Sequence, residues 1–462
     1  MSYGEEKDWN GYNSIEEILG QYAKYDYDRD EGAENPVGID AIVSTFQRLI
    51  EEDTYVDKEN HFHMCNVCYS EYSEAVQKIS YSKRDIERFT EKKLLPFTNR
   101  MGESSKRSLG IYISALINNL PSISDIILDP PVKLHYLGVH LGKGHPHEVT
   151  IRKNAGMQTG RFMSDGKITI EGRTDGYVGR SMTGGIIEVK GAVGEHVGRM
   201  MEGGEITAHG NANQVGEEML GGTISIRGES KGHAGRWMKG GSIEITGNAE
   251  GVGRDMKDGN IHVKGDVEDL GDRMGAGRIR IDGDVRGFAG HYMQGGEIII
   301  KGDAKHVGHE MSGGRITIRK DVEDLGDYLS GGEIHVGGKV RGYAAHYMRD
   351  GYVHIKGDVF HAAHEITGGK MIVEGYAKDG PGLGMKGGQL ILRGPAGDYV
   401  GKYMQAGRIV AEKRVGKDPG AFMTGGEIYL NGGFQEMNGK QYGGIIHHPK
   451  NKMITYINKI FR

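Results

Sequence analysis

From about residue 148 to residue 432, apolar positions recur with two nested periods. Within short segments such as GGEIIIKG (295–302) and GGRITIR (313–319), apolar and polar residues alternate, which predicts a strand with one face buried. Across segments, the whole pattern returns every 18 or 19 residues. A glycine marks each return, from Gly166, Gly185 and Gly204 through Gly277, Gly296 and Gly314 to Gly407 and Gly426. Three residues before each marker stands an apolar side chain. It is methionine in thirteen cases, from Met163 to Met423, with Leu329 and Ile366 as the exceptions. Three residues earlier again a second glycine is usual, as at Gly179, Gly253 and Gly308, relaxed to Ala345 and Ala363. Each coil reads V-G-x-x-M-x-G-G-x-I-x-I-x-G, and fifteen coils follow it.

Strands this short do not stand alone, and a period of 18 to 19 has no room for a helix and its crossover in every repeat. The expected fold is therefore mainly β, a parallel β-helix of about 15 coils of 18–19 residues. Each strand pairs with its equivalent one coil on, at roughly 4.8 Å. Methionine and isoleucine become inward ladders, a setting that suits flexible thioethers. The glycines permit the corners. A longer repeat is overlaid: DVEDLGD at 266 returns at 321, GFAGHYM at 287 returns as GYAAHYM at 342, and HVGHEMSGG at 306 returns as HAAHEITGG at 361. The offset is the same in every case and equals three coils.

Outside the array the pattern changes. Residues 14–24, 37–52 and 82–119 have helix-like apolar spacing, the last divided near Pro96 and Gly102. This predicts a small helical N-terminal domain over 1–132. KLHYLGVHL (133–141) is expected to be the first β segment of a β-helix spanning 133–432, and 433–462 a C-terminal cap over its last coil.

The 78 glycines are accounted for by the repeat, and 58 basic against 63 acidic residues leave a net charge of −5. No long basic run points to nucleic acid, and no stretch approaches 18 uninterrupted apolar residues, so no membrane span is expected. The N-terminal residues lack the basic and apolar regions of a secretory leader, and the expectation is a cytoplasmic protein. Both cysteines and two histidines lie in HFHMCNVC (61–68). His61, His63, Cys65 and Cys68 have the ligand types of a structural zinc site, although thiols without metal, or a redox pair, use the same residues. A second candidate is the column two residues before the methionines. It runs Arg161, Arg180, Arg199, Glu217, Arg236, Arg254, Asp272, His291, His309, Asp327, His346, His364, and its neighbouring histidines are placed to share a cation, or to line a solvated or partner-facing ladder. The aspartates of calcium-binding nonapeptides are missing after the double glycine, and the G-x-G patterns lack a following helix N-terminus to receive phosphate.

The coil pattern resembles that of the GXGXG family, which includes the C-terminal domain of the large subunit of glutamate synthase and one of the subunits of formylmethanofuran dehydrogenase. The resemblance covers roughly residues 148–432 and implies a right-handed β-helix with no catalytic residues. It implies a scaffold or docking subunit for redox or amidotransferase partners, or a homo-oligomer. The competing reading is a polysaccharide hydrolase or lyase using the paired carboxylates Asp269/Asp272 and Asp324/Asp327. Residues 1–135 carry no N-terminal-cysteine amidotransferase signature and no iron–sulfur cysteine run.

Overall fold

In VGIDAIVSTFQRLIEE, Ile42, Phe46 and Leu49 fall at helical spacing, and in the computed structural model they form the buried face of helix α1, Gly38–Glu52. The structure describes residues 37–52, 61–94, 103–448 and 451–455, so the expected helix at 14–24 lies outside the described residues, as do Pro96 and Gly102. Contacts divide the chain into two units, residues 1–172 and 173–462. The expected fold class is what the structure has: mainly β, a parallel β-helix with a helical N-terminal part.

In the first unit α1 is followed by α2 (His61–Val76), α3 (Lys83–Arg88, continuing as a π turn over Phe89–Lys93) and α4 (Glu103–Asn118). Tyr112 of α4 stacks on Phe46 at 5.0 Å, meets the edge of Tyr72 at 6.0 Å and donates its hydroxyl to the Ile42 carbonyl at 2.9 Å. Glycine stands at 110 in mid-helix because a Cβ there would lie 1.8 Å from the His135 carbonyl oxygen. One turn on, the buried Ser114 hydroxyl accepts the Gly138 N–H at 2.8 Å, fixing α4 to the segment 134–141.

That segment is not the first strand. Asp125–Leu128 is, pairing in parallel with Glu148–Ile151, which pairs with Lys167–Ile170. Within 133–141, residues 135–141 form turns instead. Tyr136, Gly138 and His140 have φ of 59°, 76° and 55°, the conformations repeated by Tyr177, Gly179 and Ser181 at 53°, 64° and 54°. YLGVHL is therefore a corner of the V-G-x-x-M type, with Leu141 in the methionine position.

The second unit stacks two ladders. One holds the strands expected after each double glycine, in register isoleucine upon isoleucine: Ile243, Ile261, Ile279, Ile298, Ile316 and Ile334. The other is an eleven-stranded parallel sheet from Thr174–Gly176 to Val359–Ala362, whose strands precede the corners and are not disclosed by the alternation of the sequence. Its strands come in two lengths. The shorter coils carry four-residue strands such as Val267–Leu270, and the longer coils carry five-residue strands such as Val285–Ala289 and Val340–Ala344. Register shifts mark the longer strands, so the extra residue is a β-bulge that leaves the rest of the coil in phase.

The thirteen methionines of the column, with Leu329 and Ile366, are fully buried. Past residue 432 the array gains one more rung, Ile445–His448, parallel to Glu427–Leu430. Asn451–Thr455 then folds back antiparallel on that rung.

Candidate functional site

In the corner V-G-x-x-M, valine and methionine point inward and the two residues between the glycine and the methionine face out. The outward residue next to each methionine, or next to Leu329 in its place, has a left-handed backbone, including Trp237 (φ 56°), Tyr292 (53°), Glu310 (53°) and Tyr328 (55°). With the bulged strand just before it, each corner presents three outer positions: five, two and one residues ahead of the methionine. One coil per step turns them into three parallel rows.

The middle row is the column read from the sequence. Its N-terminal part in this unit is an ionic mesh: Arg199 Nη2 lies 2.7 Å from Glu218, His196 Nδ1 2.8 Å from Glu217, and Arg254 Nε 3.5 Å from Asp272. From Asp272 onward the order is Asp272, His291, His309, Asp327, His346, His364, two copies of Asp-His-His produced by the three-coil repeat. Adjacent members approach closely: His291 Nδ1 lies 3.5 Å from Asp272, His309 Nε2 3.7 Å from Asp327, and His346 Nδ1 3.4 Å from Asp327. Burial pushes the Asp327 carboxyl up, against the pull of His346 and His309. Burial holds His291 below the usual histidine range despite Asp272, and brings His364 down to about 4 although the Asp379 carbonyl accepts from its ring at 3.3 Å.

The flanking rows are aromatic here. Phe288 lies 5.2 Å from His291 and 5.1 Å from His306, and Tyr343, its equivalent three coils on, lies 4.9 Å from His346 and 4.7 Å from His361. Tyr328 stacks on Tyr347 at 5.1 Å. Among the described residues, one group of three metal-ligating side chains brings its donor atoms within 4.8 Å of one another: His291, His309 and Glu310. The sequence reading names both histidines but misses Glu310 and the aromatic rows, because their convergence depends on the second sheet.

Cys65 and Cys68 lie one turn apart on α2 and are buried in the first unit. Burial pushes the Cys65 thiol up to about 11, against a smaller downward pull from the Arg161 guanidinium. The same helix carries positions 61, 65 and 68 along one face and position 63 on the other; the side chains of His61 and His63 lie outside the described residues.

The carboxylates of the hydrolase reading have structural partners. Asp269 accepts the Phe288 N–H at 2.7 Å and Asp324 the Tyr343 N–H at 2.8 Å, each anchoring a bulged strand, while Asp272 faces Arg254, Arg273 and His291. A scan against protein-family models and a search of curated proteins both find no match to this chain.

Proposed function

We propose that this chain is a non-catalytic β-helical scaffold or docking subunit of a larger redox or amidotransferase-type complex, in the manner of the GXGXG proteins it resembles. The observation that carries the reading is the outer face of the corners. Met200, Trp237, Phe288, Tyr292, Tyr328 and Tyr343 are all exposed and all fall in the two flanking rows, with Arg236 over the Trp237 ring at 3.7 Å. Aromatic residues and arginine are what protein interfaces concentrate at their centres. The connections from Ile186 to Val373 support the same reading. They are no longer than seven residues, as between Leu270 and Arg278, and none extends to wall a substrate cleft.

Zinc on Cys65 and Cys68 belongs to the proposal as a structural clip, because a coordinated thiol is deprotonated even where burial alone keeps it neutral. Cobalt held there would show a thiolate charge-transfer band, absent after Cys65→Ser and Cys68→Ser. For the scaffold role, gentle native isolation is expected to give a stoichiometric redox or amidotransferase subunit, lost on Trp237→Ala with Tyr292→Ala. An isolated chain that depolymerises a polysaccharide would establish the lyase or hydrolase reading instead.

A further inference from the structure

The histidines of the two three-coil blocks are alike in sequence and unlike in surroundings. In the first block the rings of His291 and His309 have centroids 5.2 Å apart with planes at 52°. A late first-row ion sits about 2.0–2.1 Å from an imidazole nitrogen, so two imidazoles on one tetrahedral ion have centroids roughly 5 Å apart. The pair is thus spaced for chelation before any ion arrives. Glu310 Oε1 lies 3.7 Å from His309 Nδ1, too far for a hydrogen bond and near the ~3.4 Å that separates two donors sharing one tetrahedral ion. That Nδ1 is itself buried without a hydrogen-bond partner.

The surroundings match those of a metal site. His291 Nδ1 has Asp272 at 3.5 Å and His309 Nε2 has Asp327 at 3.7 Å, so a carboxylate stands beside the ring nitrogen left over from coordination in both cases. The Tyr292 ring lies 4.0 Å from that of His291. Phe288 closes the remaining side, 6.5 Å from His309. The side chains of His291, His309 and Glu310 are 28%, 30% and 43% exposed, which keeps a coordination position open to water.

The second block repeats the aromatic frame, with Tyr347 3.8 Å from His346 and Tyr343 5.8 Å from His364, but its candidate donors are engaged elsewhere. His364 is only 8% exposed and gives a ring nitrogen to the Asp379 carbonyl at 3.3 Å. Glu365, the counterpart of Glu310, is held by Lys386 at 3.1 Å.

We propose that His291, His309 and Glu310 form a solvent-open site for one late first-row divalent cation of the cobalt, nickel, copper and zinc group, with water as the fourth ligand. Two imidazoles select that group over magnesium and calcium, which prefer all-oxygen shells.

The test is titration of the chelator-stripped full chain with Co2+, read by its visible ligand-field bands and by calorimetry. The result expected is a ligand-field signal without thiolate charge transfer, which separates this site from one at Cys65 and Cys68. Affinity should fall by at least about 100-fold in His291→Ala with His309→Ala, fall by about 10-fold or more in Glu310→Gln, and stay unchanged in His346→Ala with His364→Ala. The circular dichroism of each variant, the one at buried His364 included, checks that the solenoid still folds. Wild-type protein that binds no Co2+ outside the thiolate signal, or binding that survives loss of both His291 and His309, overturns the site. A partner subunit found without Co2+ binding removes the site and leaves the docking role intact.

Discussion

Gly277 shows how two residue columns hold one another in place. Its φ is 90°, and a Cβ on it would lie 2.7 Å from both the Met256 Cε and the Gly259 carbonyl oxygen. The methionine of one coil thus fills the space that glycine leaves open on the next, so neither column can change alone. Gly275, two residues earlier, has only ordinary contacts at 3.7 and 3.8 Å and no left-handed φ. Gly277→Ala is therefore expected to lower stability by roughly 1–3 kcal/mol, through backbone strain and displaced methionine, while Gly275→Ala stays within about 0.5 kcal/mol. Urea unfolding of the two variants measures the difference, and equal losses would separate glycine conformation from the methionine packing. Both columns were legible in the sequence because one spacing rule governs them. Glu310 was not, since it becomes a neighbour of His291 only through pairing one coil away.

The strands after the double glycines were legible for the same reason, as their strict alternation is the signature of one buried face. Their partners before the corners were not. Val267 and Leu270 are three apart and Val285 and Ala289 four apart, an interval set by the bulge and easily mistaken for a helical turn or a loop. The two coil lengths, visible in the spacing of the marker glycines, are the trace of that bulge. Helix α2 is masked in the sequence by the ligand types of HFHMCNVC. Cys65, Cys68, Tyr69, Tyr72, Ala75 and Val76 nevertheless form one buried helical face. A covering for the last rung follows from the decay of the repeat, and its form is the antiparallel strand Asn451–Thr455. Deleting 449–462 would leave the edge of Ile445–His448 unpaired. The shortened chain is expected to self-associate with rising concentration in light scattering, whereas behaviour identical to the full chain would show that the strand protects nothing.

The net charge is −5, and among the described residues no helix is long and apolar enough to cross a membrane; the proposed contacts rest on the aromatic and histidine rows of the corners. Those rows exist only if every coil keeps step. The repeated block, residues 266–320, comprises three coils, two with four-residue and one with five-residue strands before the corner. Deleting it joins Gly265 to Asp321, and DVEDLGD follows the junction as before. Ala249–Val252 would then meet Val322–Leu325 in the register it now has with Val267–Leu270. The measurement is the thermal unfolding of this deletion beside one lacking 266–315, followed by far-ultraviolet circular dichroism. The first should retain a strong β spectrum and a single cooperative transition, with its second unit about 14 Å shorter along the stack at ~4.8 Å per coil. The deletion of 266–315, which is not a whole number of coils, should abolish cooperativity, because glycines enter strands and isoleucines enter corners. Equal cooperativity in the two deletions would contradict the register on which the ladders, the proposed docking rows and the proposed metal site all depend.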